Sequence, residues 1–199
     1  MSKFNNIVDV AASSCDGDAK YNARYSLTLY KKGASANPKT AIVILKNPAS
    51  TCKDSIFFST QLKDIYDVDK TTAHIINILF TQEKYEKIIT LNLFPYYDNI
   101  PATINSIYGN ILHYTYGSYA VNLQKIDLVL KCNSNADIFC AWGESSGIDT
   151  NIYDKAIGDI LNRLLGNNII DYYHYVNHIK TKSSITNNKP FYPTHGLKW

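Results

Sequence analysis

Cysteine is sparse and unpatterned in this chain. Four cysteines (Cys15, Cys52, Cys132 and Cys140) occur in 199 residues, and none forms a C-x-x-C pair. This spacing argues against a zinc site and a disulfide framework, and reads as a chain with reduced thiols. Long apolar runs are missing as well. No stretch approaches the roughly 18 apolar residues of a membrane-crossing helix. The opening residues, Met1 to Ile7, contain no apolar leader core, so a cytoplasmic location without membrane contact is expected. Charge is modest, at 19% of residues with a net +3, which permits a nucleic-acid partner without demanding one. Neither G-x-x-x-x-G-K-[ST] nor G-x-G-x-x-G occurs, so phosphate-loop NTPase and standard dinucleotide readings fail. No repeat and no linker interrupts the chain.

What is present describes an ordinary globular protein, with 45% hydrophobic residues and enough length for one sizeable core. Residues 1–20 are polar and read as an irregular lead-in, leaving residues 21–199 as a single domain. Tyrosine is abundant, at 16 residues. Beside the many Ile, Asn and Lys residues, this reflects an AT-rich genome more than a surface for stacking on bases.

Period-two alternation predicts a strand over Arg24–Tyr30, followed by a Gly-, Ser-, Asn- and Pro-containing loop over Lys31–Pro38. Thr40–Leu45 is a continuous apolar, β-branched run, as in strands covered on both faces. Helical spacing is expected over Ser59–Thr81, broken near Asp67–Asp69, then over Ala102–Tyr114 and Leu123–Lys131. Further buried strands are expected at Lys87–Phe94 and Ala136–Trp142, and a fourth at Ile169–Ile179. Asp154–Leu165 reads as an amphipathic helix capped by Gly166. The tail from Thr181 to Trp199 is polar. Strands alternating with helices imply an α/β domain, three-layer α/β/α, around a mostly parallel central sheet.

Three of these strands end in unusual chemistry: Lys46-Asn47-Pro48, Asn92-Leu93-Phe94-Pro95, and Trp142-Gly143-Glu144. In a parallel sheet such ends share one edge, where ligands bind. Asn47 and Asn92 supply amides suited to reading the edge of a base. Phe94 and Trp142 offer a stacking wall, and Gly143 lets a ligand approach the backbone. Each has a plainer reading too. Asn-Pro commonly begins turns, and Trp142 fits a core or rim aromatic. His74 and His113 read as surface or satisfied core residues. His174 and His178 lie four apart, a metal-ligand spacing on a helix but not on the strand expected there.

The ordered set Arg24-Tyr25-Ser26-Leu27, Asn47-Pro48-Ala49-Ser50, Asp54, Asn92-Leu93-Phe94, Ala141-Trp142-Gly143 and Thr181-Lys182 resembles the DUF1643 family over about residues 24–193. That pattern is in turn similar to the uracil-DNA glycosylase superfamily. The resemblance implies a glycosylase-like fold and base excision from DNA without cofactor or metal. Asn47 falls where an elbow asparagine positions the water that attacks C1′, with Asp54 as a second candidate. Asn92 falls on the base-reading asparagine, and His195 would assist the leaving base. Lys46, Pro48, Ser50, Phe57, Phe94, Trp142, Gly143 and Lys182 complete the implied substrate-binding set. Lys46, Lys53, Lys180, Lys182 and Lys189 would clamp phosphates.

Two departures bear on substrate. The glycine usual before the elbow is Leu45, and the tail His-Pro reads Lys189-Pro190. They point to a modified or bulky base, such as those phages install, and hence a defence role, or to a lost activity. The alternatives are a non-catalytic module binding a nucleotide or nucleotide-derived signal, and an N-glycosidase acting on free nucleosides. No obligate protein partner is inferred.

Overall fold

In the computed structural model, the apolar run Thr40–Leu45 becomes the centre of a seven-stranded sheet. The structure describes residues 10–18, 23–48, 70–96, 100–109, 118–185, 191–193, 195–196 and 199. The strands are β1 (Val10–Asp18), β2 (Ala23–Lys31), β3 (Thr40–Leu45), β4 (Lys87–Asn92), β5 (Asp137–Cys140), β6 (Asp171–Val176) and β7 (Ile179–Ser184). The helices are α1 (Lys70–Asn77), which runs on into a π-turn at Ile78–Gln82, α2 (Pro101–Tyr108), α3 (Ser118–Cys132) and α4 (Thr150–Gly166).

The sheet order is β1-β2-β4-β3-β5-β6-β7. Its core, β4-β3-β5-β6, is parallel. The outer pairings β1·β2, β2·β4 and β6·β7 are antiparallel, so the sheet is mixed rather than mostly parallel. Local connections explain two of these three pairings. Only four residues separate β1 from β2 and two separate β6 from β7, and links that short join antiparallel neighbours, whereas parallel neighbours need a long crossover.

Strand β3 is buried from Ala41 to Leu45. Ile42 and Ile44 join one apolar cluster with Ile104, Ile126 and the α4 residues Ile157, Ile160, Leu161 and Leu164. Ala41, Val43 and Leu45 join a second with Ile75, Ile76, Leu79 and Phe80. Side chains two apart share a face, so β3 serves two cores at once, which is what its unbroken apolar run requires.

Five sequence expectations change. The stretch read as an irregular lead-in contains β1, nine residues paired in antiparallel register with β2. The strand expected over Ile169–Ile179 is instead a hairpin. Asn177 and His178 both adopt positive φ, 49° and 65°, the geometry of a two-residue turn matched to strand twist. Helix α4 begins before Asp154, because the Asp149 carboxylate accepts from Asn151 N–H at 2.9 Å and Ile152 N–H at 3.2 Å. It also ends on Gly166, with Asn167 at the cap. Helix α2 spans Pro101–Tyr108, where Pro101 suits a first-turn position, and α3 starts earlier than Leu123.

Candidate functional site

Strand β3 has β4 on one side and β5 on the other. The chain leaves β3 for β4, then crosses back over to β5. The C-terminal end of β3 is therefore the topological switch point of the parallel core, the place where open α/β sheets form their ligand crevice. The elbow Lys46-Asn47-Pro48 occupies that point. Pairing with β4 continues past the regular strand, because Leu93 N–H donates to Leu45 O and Phe94 N–H to Lys46 O, both at 2.8 Å. On the other side Ala141 N–H donates to Ile44 O at 2.9 Å. The three chain segments separate only beyond these bonds.

Asn47 is half-buried, and its Nδ2 donates to Pro48 O at 3.3 Å. Pro48 is buried beneath it. The Lys46 ammonium spans the crevice toward the loop after β5. It donates to Glu144 O and to Ser146 Oγ, the latter at 3.1 Å, and lies 5.6 Å from the Tyr153 ring centre. Burial lowers the Lys46 pKa from 10.5, opposed by the Glu144 charge.

At the end of β4, Asn92 is wholly buried. Its Nδ2 donates to Arg24 O at 3.2 Å. Only the amide nitrogen can donate to a carbonyl, so this bond fixes which way the amide faces. The Asn92 Oδ1 has no hydrogen-bond partner among the described residues. Behind it, Asn122 of α3 is equally buried and donates to Asn92 O at 2.9 Å and Leu93 O at 3.5 Å. The Asn122 Oδ1 is likewise without a partner among the described residues. A buried carbonyl oxygen left unpaired costs about 1–3 kcal/mol.

At the end of β5, Gly143 has φ +70°, and a Cβ added there would lie 3.0 Å from His195 Cβ. Gly196 N–H donates to Ala141 O at 3.2 Å. The tail thus lays His195 directly against the third strand end. Tyr153 of α4 places its hydroxyl 3.1 Å from Trp142 O and 2.9 Å from Gly143 O. From α2, Asn105 holds the same loop, donating to Gly147 O at 3.3 Å and accepting from Asp149 N–H at 2.8 Å.

Asn47, Asn92 and Gly143 therefore end three adjacent strands, as the strand-end motifs predict, and the tail brings His195 against Gly143. Others do not join them as expected. Phe94 and Trp142 are fully buried. The Phe94 ring packs on Tyr108 and Tyr153, and Trp142 packs on Phe191 while donating its indole N–H to Phe191 O at 3.0 Å. They are core aromatics, not a stacking wall. Lys182 sits on the edge strand β7, three strands from β3, ion-paired to Asp171 at 2.7 Å. Lys180 is paired with Glu83 at 2.9 Å. Neither lysine stands at the crevice, because the hairpin turn carries β7 to the sheet edge. Ser50, Lys53, Asp54, Phe57, His113 and Lys189 lie outside the described residues.

His74 and His178 both contact Trp199 O, at 3.2 and 2.8 Å, and His174 contacts Ser183 Oγ at 3.0 Å. Among the described residues no group of three or more His, Cys, Asp or Glu is placed to hold a metal ion. No helix among them is long and apolar enough to cross a membrane.

Three residues near the crevice escape sequence reasoning. Asn122 is one polar residue within a helical pattern, and nothing local marks it. Tyr153 reads only as a core position of α4. Tyr192 is 47% exposed and stacks on Tyr153, with ring centres 6.0 Å apart and planes 2° from parallel. It offers the open aromatic face that Phe94 and Trp142 do not. A cavity of about 600 Å³ lies at the opposite edge, lined by Asn37, Lys39, Lys87, Asn133 and Asp137. It adjoins the N-terminal ends of β3, β4 and β5, where parallel sheets do not form their sites.

No curated protein and no solved structure matches the chain. The model of one family, described as a protein of unknown function (DUF1643), matches residues 24–183, which takes in all three strand ends and stops short of His195. The chain therefore belongs to the DUF1643 family.

Proposed function

We propose that this protein is a DNA glycosylase, hydrolysing the N-glycosidic bond of a flipped, modified base at the end of β3. The observation that carries this reading is that Asn47, Asn92 and Gly143 end three adjacent strands, with His195 packed against Gly143. Asn47 orients water toward C1′, as the resemblance to uracil-DNA glycosylases implies. The Oδ1 of Asn92, without a partner among the described residues, is an acceptor and would suit an N–H donor on the base. As the C1′–N bond breaks, negative charge grows on the base, and a donor such as His195 stabilises it. Flipping the nucleotide costs a few kcal/mol, least where pairing is already weakened by modification. The burial of both faces of β3 suits a three-layer, glycosylase-like arrangement. The departures at Leu45 and Lys189 favour a bulky base over plain uracil, and with it a role against phage DNA.

A second reading is favoured by one observation. Lys180 and Lys182, expected to clamp phosphates, are paired with Glu83 and Asp171 away from the crevice. A site that binds a free nucleoside or nucleotide needs no such clamp.

One experiment separates the two. The protein is incubated with DNAs carrying uracil, hydroxymethylated or glucosylated bases, and alkali then reveals abasic sites. Cleavage with one substrate, lost in Asn47→Ala, supports the glycosylase. Intact DNA throughout, with calorimetric binding of a nucleotide that salt leaves unchanged, supports the small-molecule site.

A further inference from the structure

Lys46 is the first residue beyond β3, half-buried, and its amine reaches the loop after β5. Its partners are the Glu144 carbonyl and the Ser146 hydroxyl, with the Tyr153 ring beside it. No carboxylate stands within ion-pair distance of it among the described residues. The ammonium groups of Lys125, Lys155, Lys180 and Lys182 face Asp16, Asp159, Glu83 and Asp171. A carboxylate in contact would hold a lysine protonated, and among the described residues only the more distant Glu144 charge acts on Lys46 in that sense. Burial is the larger effect and opposes it, favouring the neutral amine. A lysine desolvated in this way is a nucleophile toward carbonyl carbon.

We propose that Lys46 captures the C1′ aldehyde of an abasic deoxyribose, so that the protein cuts the strand in addition to excising the base. This rests on the glycosylase reading for its substrate. The Nζ lone pair adds to C1′, and a proton transfer gives a carbinolamine. Loss of water leaves a protonated imine, which acidifies the C2′ hydrogen. Removal of that proton by water forms the C2′–C3′ double bond, and the C3′–O bond breaks with its electron pair leaving on the phosphate. Hydrolysis of the imine then frees an unsaturated aldehyde and restores the amine. No oxidant or reductant is consumed.

The test uses the full chain and an oligonucleotide carrying one preformed abasic deoxyribose, with sodium borohydride as the trap. An imine is reduced to a stable protein–DNA adduct, seen on a denaturing gel and mapped by peptide mass. The expected result is an adduct at Lys46, and strand cleavage without alkali, both lost in Lys46→Arg. That variant keeps the cation, and unchanged thermal melting shows that it keeps the fold. No adduct in the wild type, an adduct at another lysine, or undiminished trapping by Lys46→Arg overturns the proposal. Because the abasic site is preformed, the two readings fail separately. Trapping without excision of any base sinks the glycosylase alone, and excision without trapping sinks the imine alone.

Discussion

Gly143 lacks a Cβ where the backbone is left-handed and where His195 packs against it. Both conditions oppose any side chain. Gly143→Ala should cost at least about 1–2 kcal/mol from the left-handed conformation alone. The added methyl also displaces His195, so on the glycosylase reading base excision should fall further than stability does. Thermal melting and an excision assay on the same preparation test this. An unchanged melting temperature would remove the strain argument. The two asparagines should separate in the opposite way. Asn92→Ala removes a wholly buried side chain with its hydrogen bond to Arg24 O and should destabilise by about 1–3 kcal/mol, read by urea unfolding. Asn47 is half-buried at an elbow, and Asn47→Ala should stay within about 1 kcal/mol while abolishing turnover. Equal stability losses would contradict these assignments. At this scale the asparagines, Gly143 and Lys46 could be read from the sequence, because each interrupts an apolar strand at its end. Asn122 and Tyr192 could not. Their significance arises only when α3 and the tail pack beside residues distant in the chain.

Among the elements, β3 has the ends that its composition predicts, since its apolar run stops at a lysine and an Asn-Pro turn. The β6–β7 hairpin was illegible because its turn, Asn177-His178, lacks glycine, although both residues adopt positive φ. Strand β1 is equally obscure. Ser13, Ser14, Asp16, Gly17 and Asp18 show no apolar period, and this edge strand owes its conformation to pairing with β2. The hairpin has a pH consequence. Burial lowers the His174 pKa below 6.5. As pH drops through 6.5 the unfolded chain takes up a proton that folded His174 resists, so stability falls with acid and is restored above 6.5. His174→Gln should flatten the melting temperature between about pH 5 and 7. A pH profile identical to the wild type would exclude His174 as the source.

For the molecule as a whole, the α/β class was legible from the alternation of strands and helices, whereas the mixed sheet was not, because strand direction depends on pairing partners. The tail is more than polar filler. Trp199 is 2% exposed, its ring stacks on Tyr175 at 4.8 Å, and its carbonyl meets both His74 and His178. It ties α1 to the hairpin across one face of the sheet. Trp199→Ala should cost about 3–5 kcal/mol by chemical denaturation. A loss below about 1 kcal/mol would mean that the tail merely rests on the surface.

The alternation of β3 between two cores also governs how the family can change in length. One residue inserted between Thr40 and Leu45 would send Ile42 and Ile44 into the space shaped for Ala41 and Val43. The loop from Lys32 to Pro38 carries no such constraint, as it is largely exposed before the strand begins. Insertions there should be accommodated with folding and excision intact. Scanning single-alanine insertions from Lys32 to Asn47 should therefore give a sharp boundary at Thr40, with soluble, active protein before it and aggregation after it.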